Sequence, residues 1–260
     1  MSESTPANTI TIAAPPTSKR FRIGRTPITG DYDIATESGS PLYWVDKSSL
    51  TPGKPDITIH AGPDSSYPVL AISHFPHFSG DFKIGLSDPA RPQTLQWEDL
   101  TKESFTHGEY RFAMNFSNGR NTFVWKRTHS VGVDGSSPLP LSTRNFKLVG
   151  GSSNNVLAVF TNSMSLTKCG TLQINVDYGP EFGAMVLITC ISIYEKARRR
   201  KHRGRQVLEL GVVWRDEWYW TPGRDCVFDA RRVDLYRTLF IIKPYNKKEG
   251  AFTGYALSAR

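Results

Sequence analysis

The densest group of chemically useful side chains is the basic run at residues 196–205, KARRRKHRGR. It holds seven Lys and Arg residues and no Asp or Glu, so it accounts for seven of the eight net positive charges of this 260-residue chain. Each Lys or Arg close to an anionic membrane contributes about 1 kcal/mol of attraction, so the run predicts a salt-sensitive binding site for phosphate-bearing partners. The predicted lipid- or phosphate-binding residues of the run are Lys196, Arg198, Arg199, Arg200, Lys201, Arg203 and Arg205.

Two other interpretations of the same run stay open. A short stretch rich in Lys and Arg also suits a nuclear-import signal or a nucleic-acid-binding patch. It equally suits the solvated C-terminal end of a helix, where the macrodipole favours cations and no partner is needed.

A second candidate for phosphate binding is the adjacent pair Lys126 and Arg127, which follows Trp125 in a strand-like segment. Two exposed cations beside an aromatic ring could hold a phosphate group between them. The alternative is an ordinary strand, in which neighbouring side chains point to opposite faces and the pair does not act together.

Metal and covalent chemistry have weak support. His74 and His77 are three residues apart, but Pro76 between them opposes the helix that would bring the two rings together, and no third ligand follows nearby. Cys169 and Cys190 have no evident general base in the sequence. The sequence contains no nucleotide-binding motif of the form G-x-x-x-x-G-K-[ST] or G-x-G-x-x-G. It also contains no hydrolase motif of the form G-x-S-x-G or H-E-x-x-H. We therefore expect no metal, no cofactor, no small-molecule substrate and no enzymatic activity.

Composition narrows the class of protein. A hydrophobic fraction of 38% with 12% aromatic residues is typical of a folded chain. Three scattered cysteines are too few for a disulfide framework, which favours a reducing compartment. The first residues of the chain are rich in Ser, Thr and Pro and lack the pattern of a secretory signal. We therefore predict a disordered leader over residues 1–30. The expected location is cytoplasmic, with a peripheral membrane location or a nuclear one as the alternatives.

The elements that must position the cations begin with strands between about residues 40 and 177. The segment EYRFAMNF at 109–116 alternates apolar and polar residues, and TLQINVD at 171–177 does the same. Between such segments, Asn118-Gly119 is typical of a tight hairpin. Short strands with frequent turns predict an antiparallel sandwich or barrel.

A single helix is predicted at about residues 181–200. Its 13 residues from Phe182 to Tyr194 are apolar on every face, which is well short of the roughly 20 residues needed to cross a bilayer. Such a helix is either enclosed by protein or associated with a membrane. A barrel over residues 31–205 closed around this helix is the simplest arrangement, and residues 206–260 are a C-terminal extension of unassigned structure.

This arrangement resembles the tubby C-terminal-like superfamily, which includes phospholipid scramblases and LURP-one-related proteins, and is similar in particular to its fungal members. The resemblance implies a mainly β fold, a closed antiparallel barrel of about twelve strands around a central hydrophobic helix. The segments that carry it, besides the helix, are PLYWVDKSSLTPGKPDITIHAGPD (41–64), SHFPHFSGDFKIGL (73–86), QWEDL (96–100), FVWKRTHSVGVDG (123–135) and TRNFKLV (143–149).

The same resemblance implies a partner. Tubby proteins bind phosphoinositide head groups through Lys and Arg on the barrel surface, and Lys126-Arg127 is the nearest match to their K-x-R pattern. The acidic calcium loop and the cysteine-rich segment of scramblases have no counterpart beyond Asp177 and Glu181. We therefore expect a non-enzymatic module that binds anionic, phosphoinositide-like phospholipid at a membrane. The alternative is a protein-interaction or nuclear adaptor whose run 196–205 binds an import receptor or nucleic acid.

Overall fold

The computed structural model describes residues 18–48, 51–77, 79–88, 91–117, 119–134, 137–138, 142–151, 155–165 and 167–209. Two parts of the predicted segments lie outside the described residues. They are the extension after Glu209 and the leader before residue 18.

The described residues form a closed antiparallel β-barrel in which each strand pairs with its neighbours in the chain and the first strand pairs with the last. This topology confirms the closed barrel and the twelve strands that the resemblance implies. The strands are β1 (Lys19–Arg25), β2 (Tyr32–Thr36), β3 (Pro41–Lys47), β4 (Ile57–His60), β5 (Val69–His74), β6 (Phe82–Asp88), β7 (Arg91–Lys102), β8 (Glu109–Phe116), β9 (Gly119–Arg127), β10 (Phe146–Gly150), β11 (Val156–Asn162) and β12 (Lys168–Ile174), followed by the helix α1 (Pro180–Glu209).

Alternation of apolar and polar residues decides which face of each strand points into the barrel. In β8, Tyr110, Phe112 and Met114 are buried in the core, whereas Arg111 between them is exposed. The strand pairs with β9 as far as Phe116 opposite Gly119, which confirms the predicted hairpin. Gly119 has a φ of 115°, a conformation that side chains other than glycine rarely adopt.

The helix α1 fills the barrel. Every residue from 184 to 195 is buried, and the apolar ones form a single core cluster with the inward side chains of the strands. The predicted central helix is confirmed, although α1 begins at Pro180 and continues to Glu209, beyond the expected end near residue 200. Pro180 suits the first helical position because its missing N–H needs no partner there. No stretch of the described helix is long and apolar enough to span a membrane.

The barrel begins earlier in the chain than residue 31, because β1 lies within the segment predicted as a leader. Four of the seven residues of β1 are basic, which hides its short alternation in the sequence. The strand nevertheless places Ile23 in the core and pairs with β2 and β12, so it closes the ring.

Candidate functional site

The barrel end at which α1 leaves the core, here named the helix exit, is formed by Glu195–Lys201 and the turns around them. Burial decreases along this segment, from fully buried Glu195 through half-buried Arg198, Arg199 and Arg200 to exposed Lys201. Since a helix rises about 1.5 Å per residue, the last turns of the 30-residue α1 extend past the enclosed part.

Glu195 is a carboxylate with no solvent exposure, and it is neutralised by two arginines from the next helical turn. It accepts hydrogen bonds from Arg198 Nε at 2.6 Å and from Arg199 Nε at 2.9 Å, and the Tyr32 hydroxyl donates to it as well. Burial by itself raises the pKa of Glu195, but the hydrogen bonds and charges of these partners outweigh it and lower the pKa to about 2. The carboxylate is therefore ionised at neutral pH and fixes both guanidinium groups.

Arg199 also ties the helix to the barrel wall. Its Nη1 lies 2.6 Å from Asp56 Oδ1, and its Nη2 donates to the Ser48 carbonyl at 2.9 Å. The guanidinium lies 4.7 Å from the centroid of the Phe75 ring. Arg199 thus serves as an anchor between helix and barrel, whereas Arg198 pairs with Glu195 of its own helix.

Lys196 is a second anchor between helix and barrel. Its Nζ donates to the Ser79 carbonyl at 2.8 Å and lies 4.4 Å from the centroid of the Phe82 ring. Burial, with the nearby charge of Arg200, lowers the pKa of Lys196 to about 8. A lysine enclosed in this way has little opportunity to contact a ligand in solvent.

The pair Lys126 and Arg127 is divided between two faces of β9. Trp125 points inward, where its Nε1 donates to Thr189 Oγ1 of α1 at 2.9 Å, so Lys126 lies on the outer face. Arg127 lies at the end of β9, and its Nη2 donates to the carbonyls of Thr106 and His107 at 3.1 and 3.3 Å. The two side chains therefore leave β9 on different faces, as in an ordinary strand.

The structure brings Arg127 instead to the basic run. Both Arg127 and Arg200 act electrostatically on His107 and Tyr110, whose Nδ1 and hydroxyl oxygen are 2.8 Å apart. Burial and the positive charges of the surrounding cations together lower the pKa of His107 to about 4. We name this group the rim cluster; its members are Lys102, His107, Tyr110, Arg127, Lys196 and Arg200.

Sequence reasoning missed Lys102, His107 and Tyr110 as parts of a site. They come from the end of β7, the following turn and the start of β8, about 90 residues before the basic run in the chain. No local spacing signals such a meeting, because only closure of the barrel around α1 creates it.

The remaining candidates lie apart from the helix exit. The His74 ring packs against Trp97, with 5.9 Å between centroids. Within the described residues, no group of three or more His, Cys, Asp or Glu could hold a metal ion. Cys169 and Cys190 are both buried, and burial raises the pKa of each thiol, so neither is a ready nucleophile. Of the other predicted residues, Arg203 and Arg205 lie on the terminal turns of α1.

A groove of about 720 Å³ crosses the outer wall near Arg111 and Arg120. Both arginines are already paired, Arg120 with Glu98 at 2.6 Å and Arg111 with Glu103 at 3.1 Å. The groove therefore offers much less uncompensated charge than the helix exit does.

Comparison with known proteins finds similarity among solved structures. No family model matches the chain, and no curated protein matches it. Among solved structures, the chain is similar to an X-ray structure of a protein from Arabidopsis thaliana, with 14% identity and a TM-score of 0.38 over 69% of this chain and 93% of that one. Similarity at this level assigns neither a family nor a function.

Proposed function

We propose that the protein is a non-enzymatic binding module that associates with anionic phospholipid at a membrane surface through the projecting end of α1. The observation that carries this proposal is the division of the basic run at the helix exit. Lys196 and Arg199 are bound to the barrel and Arg198 is paired with Glu195, whereas α1 continues beyond them to Glu209.

The projecting segment, Lys201 with Arg203 and Arg205, supplies the charge for adhesion. Lys201 is exposed, and the two arginines follow on the same helix. At about 1 kcal/mol for each cation near an anionic surface, three cations contribute about 3 kcal/mol, which is more than a hundredfold in affinity. Because the Debye length is about 10 Å at 0.1 M salt, this attraction weakens as ionic strength rises.

The anchors support this function because they hold the helix end in a fixed position. Arg199 alone makes contacts with Glu195, Asp56 and Ser48. A basic segment fixed to a rigid barrel loses little conformational freedom when it meets a charged surface, so less of the attraction is offset by entropy.

Vesicle flotation with the full chain tests the proposal. Vesicles of phosphatidylcholine are compared with vesicles that also contain phosphatidylserine, and the test variant is Lys201→Gln/Arg203→Gln/Arg205→Gln. The matched control, Lys54→Gln/Lys83→Gln/Lys168→Gln, removes the same charge from exposed positions of the barrel and its loops. We expect binding only to the anionic vesicles and a loss of binding only in the test variant. Equal binding by the two variants would contradict the proposal.

A further inference from the structure

The rim cluster carries more positive charge than the structure neutralises. None of its four cations, Lys102, Arg127, Lys196 and Arg200, forms a salt bridge with a carboxylate of the described chain, whereas Arg198 and Arg199 beside them do. Asp81 is the acidic group that acts on both Lys196 and Tyr110, and its Oδ1 already accepts a hydrogen bond from the Lys102 backbone N–H at 2.7 Å. Asp56 also acts on Lys196, but it is already paired with Arg199, so the four cations outnumber the nearby carboxylates and an added anion would be favoured here.

Two guanidinium nitrogens of the cluster also have no acceptor. Arg127 Nε and Arg200 Nη1 are both buried without a hydrogen-bond partner. Buried donors are almost always paired, and a charged donor left unpaired is especially unfavourable. Arg200 lies on the outermost half-buried turn of α1, so rotation of its long side chain can turn the guanidinium toward a ligand at the rim.

His107 provides a third donor from a strained backbone. Its φ of 56° is the one positive value at a non-glycine position in the described part of the chain. The turn is held from both sides, since Arg127 donates to the His107 carbonyl and Ser104 Oγ accepts from the Gly108 N–H at 2.6 Å. Strain of this kind persists where the surroundings fix it, often at binding sites.

The protonation state of the His107 ring follows from its surroundings. Burial and the positive charges of Arg200, Lys102, Lys196 and Arg127 keep the imidazole neutral at pH 7. Nδ1 shares a hydrogen bond with the Tyr110 hydroxyl, and in the imidazolium form both ring nitrogens are donors.

From these features we infer that the rim cluster is a binding site for a phosphate group, held by Arg127 and Arg200 with His107 as a further donor. A phosphate monoester carries close to two negative charges and three strong acceptor oxygens, which matches two buried guanidinium nitrogens without acceptors and an excess of cations. A carboxylate offers one charge and two oxygens and satisfies fewer of these groups. If the phosphate belongs to a lipid head group, this inference rests on the proposed function. If the phosphate is free in solution, the inference is independent of the proposed function.

Histidine NMR on the full chain tests the site with inorganic phosphate as the probe. The His107 resonance is assigned by its loss in His107→Gln, and its titration is recorded with phosphate and with potassium chloride at equal ionic strength. A bound anion favours the imidazolium form, so phosphate should raise the pKa of His107 from about 4 to about 5 or 6. A His107 titration that is the same in phosphate and chloride would overturn the inference.

Arg200→Gln is the test variant, because Arg127 also holds the turn through Thr106 and His107 and its loss could unfold the rim. In Arg200→Gln we expect a raised pKa of His107 without phosphate, since a nearby cation is gone, and no further rise with phosphate. Arg120→Gln removes an arginine of the outer wall that is paired with Glu98, and it should respond to phosphate as the unaltered chain does. The same response in Arg200→Gln as in Arg120→Gln would contradict the assignment.

Vesicles distinguish the two sources of phosphate. Vesicles of phosphatidylcholine with phosphatidylinositol 4-phosphate present a monoester, whereas vesicles with phosphatidylserine at equal net charge do not. If the site takes a lipid head group, Arg200→Gln loses at least tenfold more binding to the first kind than to the second. If His107 responds to inorganic phosphate and no vesicle binds, the site is for free phosphate and the membrane function fails. If phosphatidylserine vesicles bind and His107 ignores phosphate, the inference fails and the membrane function stands.

Discussion

Replacing the buried carboxylate in Glu195→Gln tests the anchor at the helix exit. In the folded protein, hydrogen bonds and charges from Arg198, Tyr32 and Arg199 lower the pKa of Glu195 from 4.5 to about 2 despite its burial. A difference of this size corresponds to about 3 kcal/mol in favour of the ionised, folded form. Loss of one partner from a buried charge network costs a similar amount, because the other charges stay buried.

The expected result for Glu195→Gln is a loss of about 3 kcal/mol in the free energy of unfolding at pH 7, measured by urea titration of the full chain. Glu181→Gln, an exposed position on the same helix, should change the free energy by less than about 0.5 kcal/mol.

The pH dependence follows from the lowered pKa of Glu195. Its contribution is fully present above the unfolded value of 4.5 and is lost as pH falls through the folded value of about 2. The difference between the unaltered chain and Glu195→Gln should therefore shrink between pH 5 and pH 2. A difference below about 1 kcal/mol at pH 7, or one that stays constant between pH 6 and pH 3, would refute the reasoning.

Three further substitutions test other parts of the fold. Thr189→Val removes the acceptor of the buried Trp125 N–H and should lower the free energy of unfolding by about 1 to 3 kcal/mol; no change in a urea titration would contradict that contact. Gly170→Ala places a Cβ 2.4 Å from the Thr161 carbonyl oxygen, so we expect a lower melting temperature by calorimetry, and an unchanged one would show that β11 and β12 can separate. Lys196 has a pKa lowered to about 8 in the folded protein, so its protonation opposes folding. The free energy of unfolding of the unaltered chain, relative to that of Lys196→Met, should therefore rise as pH increases from about 8 to above about 10. A profile that does not change with pH would contradict the enclosure of Lys196.

The sequence predicted those parts of the fold that depend on local periodicity. Alternation along 109–116 and the apolar stretch from Phe182 to Tyr194 correspond to β8 and to the enclosed part of α1. β1 was hidden by its four basic residues, because only Phe21 and Ile23 among its seven residues are large and apolar. Patterns within strands thus predicted an antiparallel sandwich or barrel, and the resemblance implied a closed barrel of about twelve strands. β1 was missed because its pattern is too short to detect.

The division of the basic run could not be predicted, because it depends on distant partners. Asp56 and Ser48, which hold Arg199, come about 150 residues earlier in the chain, and the Ser79 carbonyl that holds Lys196 comes 117 residues earlier. Glu195 directly precedes the run, but its burial is visible only once the barrel encloses it. A charge run therefore indicates an anionic partner without showing which of its members are free to bind one.

That division also changes how the net charge is interpreted. Seven of the eight net positive charges lie in residues 196–205, and the structure binds Lys196 and Arg199 to the barrel and pairs Arg198 with Glu195. The charge left for a membrane lies on the last turns of α1, and the charge left for a single phosphate group lies in the rim cluster. These two uses differ in salt dependence and in specificity, so separate measurements can distinguish them.

The most direct test of the central claim is the vesicle partition coefficient of the full chain on phosphatidylcholine–phosphatidylserine membranes in 0.1 M salt. It is measured for the unaltered chain, for Lys201→Gln/Arg203→Gln/Arg205→Gln and for Lys54→Gln/Lys83→Gln/Lys168→Gln. Loss of the projecting cations should lower the partition coefficient by about a hundredfold, and loss of the control cations by less than about threefold. Equal partition of the two variants, or binding of the unaltered chain to neutral vesicles as strong as to anionic ones, would contradict the claim that the projecting end of α1 binds the membrane.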